Sequence, residues 1–457
     1  MTIWTPTLQD NTPRYLALAD ALARDLATGR LRPGDRLPTH RELADLLGVT
    51  IGTISRGYAE AERRGLTVGE IGRGTFVRKQ AGDDPWPRSP ERASTVDFTL
   101  SLPVALPMER DLLAATLREL ADEPDVNELL LYRPESADAR QRQRAAAWLQ
   151  RLGLAATPEN LLVTAGSQHA LNVVLSAVLG SGQVLLTEAL TYPSMKSQAR
   201  QYGVKLRAVA VDEGGLVPES LAQACLQEPR PKALYLIPSM HNPTTVTLSP
   251  QRREAVAALV TQHDLLLIED DIFSFMMPDP PEPLAVRIPE RAIYLSSVAK
   301  CLAPGLRTGF MMVPPPLRTR LLAAIHNTVW MAAPLMVEVA TRWLADGTAD
   351  RIIAAKREET QARQRLAAQI LAPWTFAADP NGTHLWLTLP EPWSSDEFTA
   401  RARECGVMVV GGGAFAVNRR DTPHAVRVSL GLPDRATLKC GLATIAEILS
   451  GTAGPNY

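Results

Sequence analysis

The 457-residue chain has only four cysteines, Cys225, Cys301, Cys405 and Cys440. They stand far apart with no C-x-x-C spacing, which excludes a disulfide framework and a thiolate zinc site, and no metal is expected. No run approaches the ~18 continuous apolar residues of a membrane span, and the start MTIWTPTLQD lacks a signal-peptide apolar stretch, so a cytoplasmic location is expected. Excess charge of one sign is missing as well: a formal net charge of −1 rules out a uniformly basic nucleic-acid coat. Lysine is scarce, seven residues beside 41 arginines, so a lysine inside a motif carries unusual weight.

What is present is globular. With 46% hydrophobic and 21% charged residues, the chain is neither wholly disordered nor fibrous. Its length exceeds one compact core and suits a small module beside a larger body. Residues 1–80 hold 12 Lys+Arg against 9 Asp+Glu and the remainder 36 against 40, a mildly basic head on a mildly acidic body.

Residues 14–28 repeat apolar side chains at helical spacing, and Gly29 closes the run. Thr39 and Glu42 form a T-x-x-E capping box for a second helix that Gly48 stops. A third begins at Thr50 and ends before Gly65, with Ile54, Tyr58 and Ala61 facing inward. Residues 66–78 read as a hairpin around Gly72-Arg73-Gly74. This order is that of a winged helix-turn-helix whose third helix enters the major groove. Thr50, Thr53 and Ser55 near its start can reach base edges or phosphates, while Arg56 and the wing-tip Arg73 suit backbone contacts. The segment LRPGDRLPTHRELADLLGVTIGTISRGYAEAERRGLTVGEIGRGTFV resembles the GntR-type DNA-binding domain over nearly its whole length. That resemblance, through the RELA motif, gives Arg41 a phosphate or base-edge contact.

Residues 79–95 hold three prolines and no apolar periodicity, a linker between domains 1–78 and 96–457. Beyond it, apolar runs at Leu161–Thr164, Val184–Leu186, Ala233–Ile237, Leu265–Ile268 and Ile293–Leu295 alternate with amphipathic helical runs. The expected fold class is therefore α/β, a mainly parallel sheet with helices on both faces, followed by a smaller C-terminal α+β portion.

One constellation is threaded through this body: Gly166-Ser167-Gln168, Tyr192, Asn242-Pro243, Asp270-Asp271, Ser297-x-x-Lys300, Arg307 and Arg427. Each piece stands where a strand gives way to a loop or helix, the place open α/β sheets put ligands. A lysine is usually a surface residue, but its amine can also condense with the aldehyde of pyridoxal phosphate, whose ring then draws electrons. Lys300 is the candidate. The amides of Gly166, Ser167 and Gln168 open a helix and suit an anion, to which Ser297 and Arg307 can add a hydroxyl and a guanidinium. Asp270 could pair with the pyridine nitrogen and keep it protonated. Asn242 could donate to the ring hydroxyl and Tyr192 could stack on the ring.

In this order and spacing the pieces resemble the fold-type I, aspartate-aminotransferase-like, PLP-dependent family over roughly residues 96–450. Joined to a GntR-type head, the chain is similar to the MocR family of bacterial transcriptional regulators. The resemblance implies pyridoxal 5'-phosphate as cofactor and Lys300 as the Schiff-base lysine. Gly166, Ser167, Gln168, Ser297 and Arg307 then serve the phosphate, Asp270, Asn242 and Tyr192 the ring, and Arg427 a substrate carboxylate. Three places depart from the family pattern. EDDIF puts Phe273 or Ile272 where relatives carry a tyrosine for the ring hydroxyl. The stretch after Tyr132 lacks the usual glycine and Leu-Arg pair, although Tyr132 would still reach a phosphate across a dimer. Ile51 stands where the family often has an arginine at the start of the recognition helix and cannot make that polar contact, so the operator sequence is not to be carried over from relatives.

The expected function is a PLP-binding transcriptional regulator, a homodimer on double-stranded operator DNA, sensing the cofactor, an amino acid or an amine. The alternative is a working aminotransferase with an accessory head. Arg427 supports it, and the missing tyrosine at Phe273 weighs against it.

Overall fold

A computed structural model of the chain describes residues 4–8, 13–28, 30–31, 35–64, 66–70, 74–77, 95–133 and 135–451. It divides into two compact units, Met1–Asp84 and Pro85–Tyr457. The linker expected over 79–95 lies, apart from Thr95, outside the described residues.

The first unit contains α1 (Arg14–Ala27), α2 (His40–Leu47), α3 (Ile51–Arg63) and an antiparallel pair, β1 (Thr67–Glu70) with β2 (Gly74–Val77). Local chemistry sets the helix limits. The Glu42 amide donates to Thr39 Oγ1 at 3.3 Å and the Thr39 amide to Glu42 Oε2 at 2.8 Å, the reciprocal cap of α2. Gly48 ends α2 at φ 63°, a left-handed position that glycine takes without steric cost. Leu18, Leu22, Leu43, Ile54, Tyr58, Ala61 and Val77 form the core. At the α1–α3 crossing a Cβ on Gly57 would lie 2.6 Å from Leu18 Cδ2 and 3.2 Å from its Cβ, so a larger residue would require Leu18 to shift.

The second unit is built on a seven-stranded sheet: β3 (Leu161–Thr164), β4 (Val184–Glu188), β5 (Lys205–Val209), β6 (Pro231–Leu236), β7 (Leu266–Asp270), β8 (Ala292–Ser297) and β9 (Gly309–Met312). Their spatial order is β3-β9-β8-β7-β6-β4-β5. All run parallel except β9, which pairs antiparallel with both β3 and β8. Helices bury an apolar cluster on each face, which is why most of these strands are apolar throughout rather than alternating. A smaller antiparallel sheet of Phe376–Ala378, His384–Thr388, Val410–Gly411 and Ala425–Ser429 carries Arg427 between Trp386 and Val410. Among the described residues no helix is long and apolar enough to cross a membrane.

Candidate functional site

The carboxyl ends of β7 and β8 open into a cavity lined by Ser167, Gln168, Tyr192, Asn242, Asp270, Phe273, Ser297, Lys300, Arg307 and Arg427, with Ser101 and its neighbours across from them. Residues widely scattered in sequence are thus gathered in one place. Gly166 borders it as the N-cap of the helix Ser167–Val178, and that helix has no side-chain cap. Its first-turn amides have no partner within the helix.

The anion corner is shaped by two glycines. A Cβ on Gly166 would lie 2.7 Å from Arg307 Nη2, and one on Gly309 would lie 2.7 Å from the Gly166 carbonyl carbon. Their absence lets the Arg307 guanidinium lie across the helix start, where Nη2 donates to the Ala165 carbonyl at 2.8 Å. Arg307 itself has a left-handed φ of 46°. Ser297 Oγ donates to the Thr308 carbonyl at 3.0 Å, which ties β8 to the residue that follows Arg307. Burial first, and then Arg307, push the nearby His169 down to about 4, so that ring stays neutral and adds no charge.

The acidic run at the end of β7 divides its work by strand alternation. Glu269 accepts the Leu284 and Ala285 amides at 2.9 and 2.8 Å, a structural cap on the opposite face. Asp271 is held by Tyr294 and Ser274. Asp270 alone of the three lines the cavity. Its Oδ2 accepts from Tyr235 at 2.6 Å, while Oδ1 is buried without a hydrogen-bond partner. Burial above all, helped by Asp271, raises its carboxyl to about 6, and Tyr235 and Lys300 oppose the rise.

The cations face this carboxylate. Burial and then Arg427 lower the Lys300 amine to about 8, against the pull of Asp270. Nζ donates to the Ser101 carbonyl and lies 5.7 Å from the centre of the Phe273 ring. Arg427 donates through Nη1 to Asn242 Oδ1 at 2.9 Å and through Nη2 to the Thr99 carbonyl, while Nε is buried with no partner. Burial lowers the guanidinium to about 10. Its hydrogen-bond partners are thus an amide oxygen and a backbone carbonyl rather than a carboxylate, a costly way to bury a charge. Tyr192 borders the same space, its phenol raised first by burial.

Tyr132 is the site candidate that the single chain does not bring in. It is 75% exposed, edge-on to Trp330 at 5.7 Å. In the head, Arg41, Thr50 and Arg56 are exposed and Thr53 and Ser55 half-buried. The hydroxyls are partly engaged: Thr50 caps α3 through the Thr53 amide at 3.2 Å, and Ser55 Oγ lies 3.2 Å from His40 Nδ1. Arg73 lies outside the described residues. Two contributors escaped sequence reasoning. The Thr99 and Ser101 carbonyls meet Arg427 and Lys300 as backbone atoms, which no residue type announces. Tyr235 sits within an apolar strand run, where a tyrosine reads as core.

The fold and the site together define a PLP-dependent-type transferase body in one chain with a winged-helix head. Residues 107–445 match the family "Aminotransferase class I and II" and residues 14–77 match "Bacterial regulatory proteins, gntR family". The uncharacterized HTH-type transcriptional regulator YdeF of Bacillus subtilis is 31% identical over 449 residues, covering 98% of this chain and 96% of that protein. The HTH-type pyridoxine biosynthesis transcriptional regulator PdxR of Corynebacterium glutamicum is 27% identical, covering 95% of each. The crystal structure of LysN, an alpha-aminoadipate aminotransferase of Thermus thermophilus complexed with N-(5'-phosphopyridoxyl)-L-leucine, matches 79% of this chain and 93% of its own with a TM-score of 0.71 and 26% identity. The chain belongs to the gntR-type transcriptional regulators that carry an aminotransferase class I and II domain.

That family fold is PLP-dependent, and the residues present fit the group. A partly buried amine of lowered pKa, an orphaned carboxylate oxygen and an anion corner that a Cβ would fill stand within one cavity.

Proposed function

We propose that the chain binds pyridoxal 5'-phosphate at Lys300 and regulates transcription according to the state of that site. When bound, this cofactor offers an aldehyde to an amine and an electron-drawing ring. Gly166, Ser167, Gln168, Ser297 and Arg307 hold the phosphate, with Tyr132 of a second copy reaching it across a dimer. Asp270 meets the ring nitrogen, Asn242 the ring hydroxyl and Tyr192 the ring face. Arg427 takes the carboxylate of an amino-acid effector. Arg41, Thr50, Thr53, Ser55, Arg56 and Arg73 contact double-stranded operator DNA. A homodimer is supported by the exposed apolar group Leu130, Leu131, Tyr132 and Trp330, which a monomer would leave in water.

The observation that carries this reading is the presence in one cavity of Lys300 and the open oxygen of Asp270, in a chain that also bears a DNA-binding head. Effectors act through differential affinity for two states. Footprints on the operator with and without cofactor, and with candidate amino acids, test it: a changed footprint is expected, and identical footprints count against it. Turnover is the second reading, favoured by the buried guanidinium of Arg427, whose partners are an amide oxygen and a backbone carbonyl and whose Nε has none. Steady-state transamination on the order of one per second would establish it.

A further inference from the structure

Two buried tyrosines reach neighbouring carboxylates at the end of β7, and they differ in what they leave over. Tyr294 donates to Asp271 Oδ2 at 3.0 Å, and Ser274 Oγ lies 2.5 and 2.6 Å from the two Asp271 oxygens, so neither oxygen of that carboxylate is without a partner. Tyr235 donates to Asp270 Oδ2 at 2.6 Å and nothing meets Oδ1. The ladder explains the reach. Tyr235 stands opposite Ile268 in the parallel β6–β7 pair, two residues before Asp270 on the same face. Strand spacing and rise separate their Cα atoms by roughly 8 Å, a gap that a phenol and a carboxylate close.

We propose that Tyr235 is a positioning residue for the cofactor: its hydroxyl fixes the Asp270 carboxylate with Oδ1 turned to the cavity and favours the ionised form that a protonated pyridine ring requires. This rests on the reading that the ring nitrogen meets Asp270. The charged and titratable groups acting on that carboxylate are Tyr235 from β6, Asp271 just past the end of β7, Glu188 from β4, Tyr192 from the start of the helix Pro193–Gln201, and Lys300 beyond β8. Glu188 is in turn 3.3 Å from His241 Nε2. Burial, Asp271 and Glu188 favour the neutral acid, and Tyr235 first, then Lys300, oppose them. Lys300 is the amine the cofactor claims, which leaves Tyr235 as the standing donor.

The test compares full-length wild type, Tyr235→Phe and Tyr294→Phe. Dissociation constants for pyridoxal 5'-phosphate are read from the absorption spectrum between pH 6.5 and 8.5, beside thermal melts without cofactor. Without its phenol donor Asp270 takes up a proton at higher pH, so Tyr235→Phe should bind roughly tenfold more weakly at pH 6.5. The deficit should close toward pH 8.5, as the carboxylate ionises again. Tyr294→Phe should lose thermal stability while keeping the wild-type pH profile. A Tyr235→Phe protein with wild-type affinity throughout, or with a deficit that does not change with pH, overturns the proposal. A wild-type chain that takes up no cofactor overturns both this and the parent reading. If Tyr235→Phe does not fold, the infrared carboxyl band of loaded wild type that Asp270→Asn removes decides: an ionised band at pH 6.5 supports the proposal and a protonated one overturns it.

Discussion

Replacing Gly166 by alanine disturbs the anion corner without removing any ionisable group. Gly166 has φ 88° and ψ 168°, a region essentially reserved for glycine, where another residue costs roughly 1–3 kcal/mol. The new Cβ would also lie 2.7 Å from Arg307 Nη2, so the guanidinium must swing away. The backbone has no room to retreat, because Gly309 of β9 packs directly against the Gly166 carbonyl carbon. Loss of one hydrogen bond between Arg307 and a phosphate adds ~1.5–3 kcal/mol, one to two factors of ten in Kd. The Gly166→Ala protein should therefore melt below wild type and bind pyridoxal 5'-phosphate about ten- to hundredfold more weakly. The visible band of the fraction that does bind should be unshifted, since Lys300 and Asp270 are untouched. Thermal melts and an equilibrium absorbance titration read both effects. A variant that melts and binds as wild type does would refute the steric reasoning.

The Lys300 amine, lowered to about 8 by burial and then Arg427, sets a pH profile. The neutral amine is the nucleophile, so the rate of covalent cofactor uptake should rise with pH up to about 8 and then level off; stopped-flow absorbance that still climbs toward pH ~10, as for an ordinary lysine, would contradict it. Arg427→Leu should leave cofactor uptake in place while weakening an amino-acid effector by roughly ten- to hundredfold, measured by titrating the visible spectrum of the loaded protein. Arg41→Ala should weaken DNA binding about equally on all sequences and reduce the salt dependence of log K by about one, read from fluorescence anisotropy over a salt series.

Much of the head was legible because its signals are local. Thr39, Glu42 and Gly48 delimit α2 within ten residues of sequence, and the structure forms that cap as written. The ends of the five expected strands were legible to within two residues, and for β3 both ends, Leu161 and Thr164, coincide with the apolar run. β9 was not, since GFMM before a proline run is a strand only by lying between β3 and β8. β5 carries Lys205 and Arg207, which mask it as a polar edge. In the site, side chains at strand ends announced themselves by type, and the cavity gathers them. Tyr235 did not, because its partner is set by the register of a neighbouring strand. Tyr132 stays outside the cavity of a single chain, and nothing in its own segment says what covers it.

The most direct measurement is borohydride reduction of the full-length protein after incubation with pyridoxal 5'-phosphate, followed by peptide mapping. The phosphopyridoxyl group is predicted on Lys300, lost in Lys300→Ala and absent from the other six lysines. No trapped group, or one on a different lysine, would contradict the account.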